Sequence, residues 1–480
     1  MAVMNIYEVE SNKIIITMST TTIKASYTII PAEHTPNTDL WLSPSDQVTR
    51  WTHASTIYVY KEAPNHDAMD TMRDSLSKIL VHYYPLAGRL SWIEGHRLKL
   101  NCNAKGAILL EAESTKTLSS YGDFTPSDTI KNELTPTVDY TQPIEDLPLL
   151  IVQVTRFKGT KEGLVIGIAL NHVLCDGLAA IHFKNSWAKL CKGDVELDHT
   201  EKFPFLDRTV MNSSTRPRFD HPELKPLPLL LGSTDPVAER EHERAVAVLR
   251  LTKEQVATLK EKTNNGSLEE QEALSPRPYS TYEVVSAHVW KCLTKARGLD
   301  GAQPTVVRVT ADIRSRLNPP LPMNYFGNAL AVSLTPTCFA RDVLSNPLRF
   351  CARKIREAVE LLKDDYVRSQ LDYIQCQEQI DSIRASHLEP GKRKNAPFYG
   401  NPNLMIVSWM SMPVYEADFG WGKPAHFGPA AVFPDDIVYI NRSSNGDWSI
   451  PVCAHLQKRH MELFNKFFYQ DIYEMNSLFV

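Results

Sequence analysis

The sequence predicts an α/β or α+β protein of two or three domains. Strand-type and helix-type spacing alternate along the whole chain. Its 480 residues exceed what a single core usually organises. The stretch 201–237, with Pro204, Pro217, Pro222, Pro226, Pro228 and Pro236, interrupts the pattern near the middle. The expected division is an N-terminal domain over 1–205, a linker over 206–237 and a C-terminal domain over 238–480, with a segment of the second domain able to cross back onto the first.

The elements read in order as follows. The first seventeen residues precede Met18, a plausible alternative start, and are expected to be an extension. STIYVYK (55–61) alternates like a half-buried strand. Pro64 is placed to open a helix whose apolar stripe runs through Met69, Met72, Leu76, Ile79 and Tyr83, and Tyr84-Pro85 ends it. RLKLNC (97–102) and AILLEA (107–112) are strands, and LLIVQVTRF (149–157) with GLVIGIALN (163–171) is a hairpin of buried strands. Helical spacing resumes after Gly177 with Leu178, Ile181, Trp187 and Leu190. RAVAVLRL (244–251) is a strand. Thr252 with Gln255 and Ser280 with Glu283 form capping boxes for two helices, Gly298 closes the second, and 264–279 is a polar loop between them. HMELFNKFFYQDIY is an amphipathic terminal helix.

Bulk composition narrows the function. Hydrophobic residues make up 43% and charged residues 22%, and the formal net charge is −4. No basic face suited to nucleic acid is implied, and no run approaches the ~20 apolar residues of a membrane span. The start lacks a basic, apolar leader, and the eight cysteines are scattered without CxxC or zinc-type spacing. The expectation is a cytoplasmic protein with reduced thiols and no metal.

The chemistry concentrates in ALNHVLCDGLAA. A buried strand ends at Asn171, His172 follows, and then come Asp176, Gly177 and a helix. A strand-to-helix turn is where α/β proteins expose reactive groups. Imidazole ordinarily titrates near neutrality, so His172 is a candidate general base. Two such residues do not complete a zinc shell. Cys175, inside the motif and without a second base, reads as a small buried hydrophobe.

Far downstream stands DFGWG (418–422). HxxxDG followed by DFGWG, together with YYPLAGRL (83–90), LNCNAKG (100–106), PFLDR (204–208), SAHVWK (286–291), RSRLNPPLP (314–322) and YFGN (325–328), resembles the BAHD acyltransferases of plants over nearly the whole length. The resemblance implies a two-domain chloramphenicol-acetyltransferase-like fold with mixed sheets and a channel between the domains. It also implies acyl-CoA as co-substrate, no permanently bound cofactor, and direct transfer with His172 as base. Asp176 is expected to pair with an arginine, for which Arg314 is the candidate, while Asp418 and Gly420 shape a structural loop. Trp409 corresponds to a tryptophan whose indole N–H faces the thioester oxygen in hydroxycinnamoyl-transferring relatives. A core tryptophan is the equally open alternative.

KASYTIIPAEHTP (24–36) and PFYGNPN (397–403) resemble spermidine hydroxycinnamoyl transferases. The expected activity is therefore transfer of a hydroxycinnamoyl group to spermidine, by a monomer. The alternatives are an O-acyltransferase for shikimate, quinate or another alcohol, and a non-catalytic relative acting as a binding partner. Val407 and Ala54 stand where shikimate enzymes carry threonines, while Thr56 and Tyr58 are retained, so Thr56, Tyr58 and Val407 are acceptor-site candidates. Arg384, which aligns with a carboxylate-gripping arginine of the shikimate enzymes, is expected to point out of the pocket. Glu378, Asp381, Glu389 and Glu416 are possible polyamine ligands, though each is more readily a solvated surface acid. Lys260, Lys392 and Arg393 are candidates for the CoA phosphates, against the same solvated alternative.

Overall fold

The computed structural model describes residues 20–62, 68–158, 163–194, 203–212, 216–265, 277–384, 398–433, 435–444 and 446–474. The expected extension, Pro64, most of the 264–279 loop, Glu389, Lys392 and Arg393 lie outside the described residues.

Two six-stranded mixed sheets form the frame. The first runs, edge to edge, through Thr21–Ile29, Ala107–Ser114, Leu150–Phe157, Leu164–Asn171, His53–Tyr60 and His426–Pro429. Its only parallel neighbours among the described residues are Ala107–Ser114 and Leu150–Phe157. Leu164–Asn171 is buried at every position, which is why its sequence is continuously apolar instead of alternating. The second sheet runs through Leu330–Leu334, Val307–Asp312, Leu404–Ser408, Ile437–Ile440, Ile450–Gln457 and Arg244–Leu251. The strand His426–Pro429 comes from late in the chain but pairs antiparallel with His53–Tyr60, so the first sheet is completed by the second half of the sequence.

Helices cover each sheet. Ala68–His82 packs against Gly177–Lys192 on the first. Thr281–Arg297 packs between Leu348–Leu361 and Lys458–Glu474 on the second. The helix starts follow from local chemistry. Both capping boxes are formed, with Thr252 and Ser280 each accepting from the backbone N–H three residues on, and Gly298 is left-handed at the end of its helix. The proline-rich 216–237 stretch is anchored. His221 is fully buried, bonded to Glu223 at 2.8 Å and to Ser369 at 3.0 Å. Among the described residues no helix is long and apolar enough to cross a membrane.

Candidate active site

The turn after Leu164–Asn171 is suspended from four sides. Asn171 Nδ2 donates to the Trp51 carbonyl at 2.7 Å, and its Oδ1 accepts from the Val173 N–H at 3.1 Å. Asp176 is the N-cap of Gly177–Lys192, accepting from the Ala179 N–H at 2.9 Å. The same carboxylate takes a bidentate pair from Arg314, at 2.9 and 3.2 Å, and the Ala329 N–H at 2.9 Å. Arg314 also bonds Asp312 and the Tyr325 carbonyl. Arg314 and Asp176 are both buried and hold each other, so the pair is a girder that fixes the turn at the cavity wall.

Two further clasps come from motifs to which the sequence assigned no role. Asn328, of YFGN, donates to the carbonyls of His172 and Val173 at 2.9 and 3.1 Å and is itself held by Asp46. Arg208, of PFLDR, donates to the carbonyls of Leu174 and Phe326 at 2.7 and 3.0 Å. The turn's own unpaired backbone acceptors are the signal that such donors must exist.

DFGWG acts at a distance. Asp418 accepts from the N–H groups of Gly420 and Gly422, both at 2.9 Å, and from Lys192 at 2.8 Å. The loop is thereby stapled to the far end of the helix that begins at the His172 turn. Gly420 has φ of 106°, a conformation that favours glycine. Phe419 fills the space between Trp187 and Trp421.

A cavity of about 430 Å³ lies between the two sheets. His172, Thr56 and Ala54 line it from the first sheet's side, and Val407, Trp409 and Tyr439 from the second's. Trp409 packs on Phe427 and Tyr439, with ring centroids 5.6 and 4.7 Å apart. Burial, followed by the nearby Arg50 guanidinium, holds the His172 pKa down to about 4, so the imidazole is neutral well below the ordinary range. This corrects the near-neutral titration that an exposed turn would give. Cys175 also lines the cavity, but burial pushes its thiol pKa up and keeps it protonated.

Other expected ligands sit elsewhere. Tyr58 is fully buried behind Lys184 and Phe427 and does not line the cavity. Strand alternation gives it the right face, but the helix above closes the opening. Lys260 is half-buried on the helix Lys253–Asn264, away from the lining. Glu378, Asp381 and Glu416 are also absent from it: Asp381 meets His96 at 2.6 Å, and Glu416 meets Lys423 at 2.9 Å. Arg384 is buried with Nε on the Gln47 carbonyl at 2.9 Å and does not line the cavity.

The cavity brings in residues the sequence did not single out: Arg50, Lys184 and Arg308. Lys184 had a readable signal, since it falls on the stripe of its helix shared with Ile181 and Ala188, where a charge is out of place. Among the described residues no three His, Cys, Asp or Glu side chains gather as a metal site.

A model described as the Transferase family matches residues 19–471. A hydroxycinnamoyl-CoA:piscidic acid hydroxycinnamoyltransferase of Actaea racemosa is 42% identical over 459 residues, covering 94% of this chain and 99% of the relative. Shikimate O-hydroxycinnamoyltransferase of Nicotiana tabacum is 36% identical, covering 93% and 99%. The crystal structure of vinorine synthase superposes with a TM-score of 0.67 at 21% identity, over 92% of this chain and 96% of that one. The chain therefore belongs to the BAHD acyltransferase family, whose co-substrate is acyl-CoA.

Proposed function

We propose that this acyltransferase moves a hydroxycinnamoyl group from its CoA thioester to the hydroxyl or aromatic amine of a small carboxylic acid, in place of the spermidine expected from segments 24–36 and 397–403. The observation that carries this reading is Arg50. Its guanidinium lines the cavity beside His172 and packs 5.2 Å from the Phe433 ring centroid. No carboxylate pairs with it among the described residues. A half-buried guanidinium without an anion is poised for one. Arg308 adds to the cationic lining. The acids there are committed: Asp176 and Asp312 both bond Arg314, and Asp435 has its own interactions. A polycation would meet repulsion.

The relatives named for piscidic acid, shikimate, 5-hydroxyanthranilate and anthranilate all take carboxylic acids. They include both O- and N-acceptors, which fits a site that grips the acid group and leaves the nucleophile to position.

In this reading His172 accepts the proton as the acceptor's O–H or N–H attacks the thioester carbonyl carbon. The new C–O or C–N bond forms while negative charge gathers on the carbonyl oxygen, which the Trp409 indole N–H stabilises. Collapse breaks the C–S bond, and the CoA sulfur leaves with the proton held by His172. The test is a mass-spectrometric screen with coumaroyl-CoA against shikimate, quinate, 5-hydroxyanthranilate and spermidine. Acylation of at least one acid is expected, with its KM raised ~10- to 100-fold in Arg50→Met. Acylation of spermidine and of none of the acids overturns the proposal.

A further inference from the structure

Lys184 is 3% exposed, in the middle of the helix that starts at the His172 turn. Lysine is among the last residues found buried without a partner. Its Nζ makes one hydrogen bond, to Thr56 Oγ1 at 2.9 Å. The aromatic faces of Tyr58 and Phe427 lie 5.6 and 5.5 Å from it. No carboxylate pairs with it among the described residues, which leaves two of its three donors unused. The hydroxyl of Tyr58, one of these two rings, is also buried without a hydrogen-bond partner. Burial lowers the lysine's pKa to about 8, so the amine still carries its proton at pH 7.

The surroundings define what the ammonium faces. Ile181, Phe427, Pro429, Trp409 and Met412 line the adjoining cavity and make apolar walls. The helix climbs roughly 10 Å between Gly177, beside the base, and Lys184. That is the order of length of a hydroxycinnamoyl group from its thioester carbonyl to its ring oxygen. An apolar, aromatic slot closed by a cationic donor is complementary to a planar ring carrying a terminal hydroxyl.

We propose that Lys184 reads the acyl donor, donating a hydrogen bond to the ring hydroxyl of a hydroxycinnamoyl thioester and thereby determining which acyl groups the enzyme accepts. The inference rests on the hydroxycinnamoyl part of the reading above and is independent of the acceptor. With a ring lacking the hydroxyl, the ammonium is desolvated against nothing, and a site built around a polar contact rejects the analogue that lacks it.

The test is calorimetric titration of the whole protein, without acceptor, with coumaroyl-CoA and cinnamoyl-CoA. The wild type is expected to bind coumaroyl-CoA about 10- to 100-fold more tightly. Lys184→Met, apolar and of similar length, is expected to bring the two within about 3-fold of each other by weakening coumaroyl-CoA alone. A lysine that merely spaces Tyr58 from Phe427 would lower both affinities together, and that result overturns the proposal. So does a preference that survives in Lys184→Met, and so do equal wild-type affinities, which need no variant. Thioester binding involves no acceptor, so failure of the carboxylic-acid reading leaves this measurement unaffected.

Discussion

Replacing Arg314 with methionine isolates what holds the His172 turn. Arg314 is fully buried and delivers two hydrogen bonds to Asp176, at 2.9 and 3.2 Å, plus one to the Tyr325 carbonyl at 2.9 Å. In Arg314→Met, Asp176 keeps the N–H groups of Ala179 and Ala329 but loses its counter-charge in a site that is 1% exposed. Removing one partner of a buried pair costs about 3–5 kcal/mol, because the other charge stays behind. Asp312 is also abandoned, but its side chain is 36% exposed and regains water, so it adds little. The expected loss is therefore about 3–5 kcal/mol in urea unfolding.

The cycle is completed with Asp176→Asn and the double variant. Because both side chains belong to one contact, the double variant should fall short of the sum by about 2 kcal/mol or more. In the folded fraction, kcat should drop roughly 100-fold, because the base is displaced and the acceptor grip is untouched. A loss under about 1 kcal/mol, or additivity within about 0.5 kcal/mol, would refute the girder argument.

Four further outcomes are expected. With the His172 pKa at about 4, kcat/KM should stay level from neutrality into the acid range and fall as pH drops through about 4. In Arg50→Met the limb should move to higher pH, since losing a neighbouring cation favours the imidazolium; a wild-type limb at the ordinary histidine value of 6.5 would contradict the burial argument. His172 and His53, both held to about 4 by burial, take up protons in the unfolded chain at 6.5. Their stabilising contribution is thus whole above 6.5 and erodes as pH falls towards 4, measurable as the slope of unfolding free energy against pH. Trp409→Phe keeps a ring against Tyr439 but deletes the indole donor; kcat should fall by about 10² with donor affinity little changed, and an unaltered kcat would remove Trp409 from the chemistry. Gly420→Ala, forced to φ near 106°, should cost about 1–3 kcal/mol of stability while leaving KM values intact, as judged by thermal unfolding beside steady-state kinetics.

The parts legible from sequence are those governed by neighbours along the chain. The strand Leu164–Asn171 declared itself because all eight residues are buried, and Thr252, Ser280 and Gly298 act within their own helix ends. The strand His426–Pro429 has four residues, one a glycine and one a proline, and exists only because the edge of His53–Tyr60 receives it. The Asp176–Arg314 contact spans 138 positions and has no local signal; only the family resemblance pointed to it. Tyr58 shares a strand face with Thr56, so alternation could not reveal that Lys184 and Phe427 shut it off. The cationic lining was missed for the same reason: Arg50, Lys184 and Arg308 come from three separate elements and become a common environment only in the cavity.

The depressed basicity of His172 bears on which acceptors the site can use. An alcohol or an aromatic amine reaches the cavity uncharged, and its proton becomes acidic only as the bond to the thioester carbon forms. A neutral imidazole already in place can take that proton, and its weak basicity then helps to return it to the departing sulfur. An aliphatic polyamine arrives as an ammonium with a pKa near that of lysine, about 10, so taking its proton in the ground state is uphill by roughly six powers of ten for a base at about 4. The Arg50 charge acts twice in this scheme. It helps keep His172 unprotonated, and it offers the counter-ion that a carboxylic acid needs and a polycation does not. In the proposed function, electrostatics at the base and at the binding wall would thus select the same acceptor chemistry, although neither depends on the nucleophile being oxygen or nitrogen.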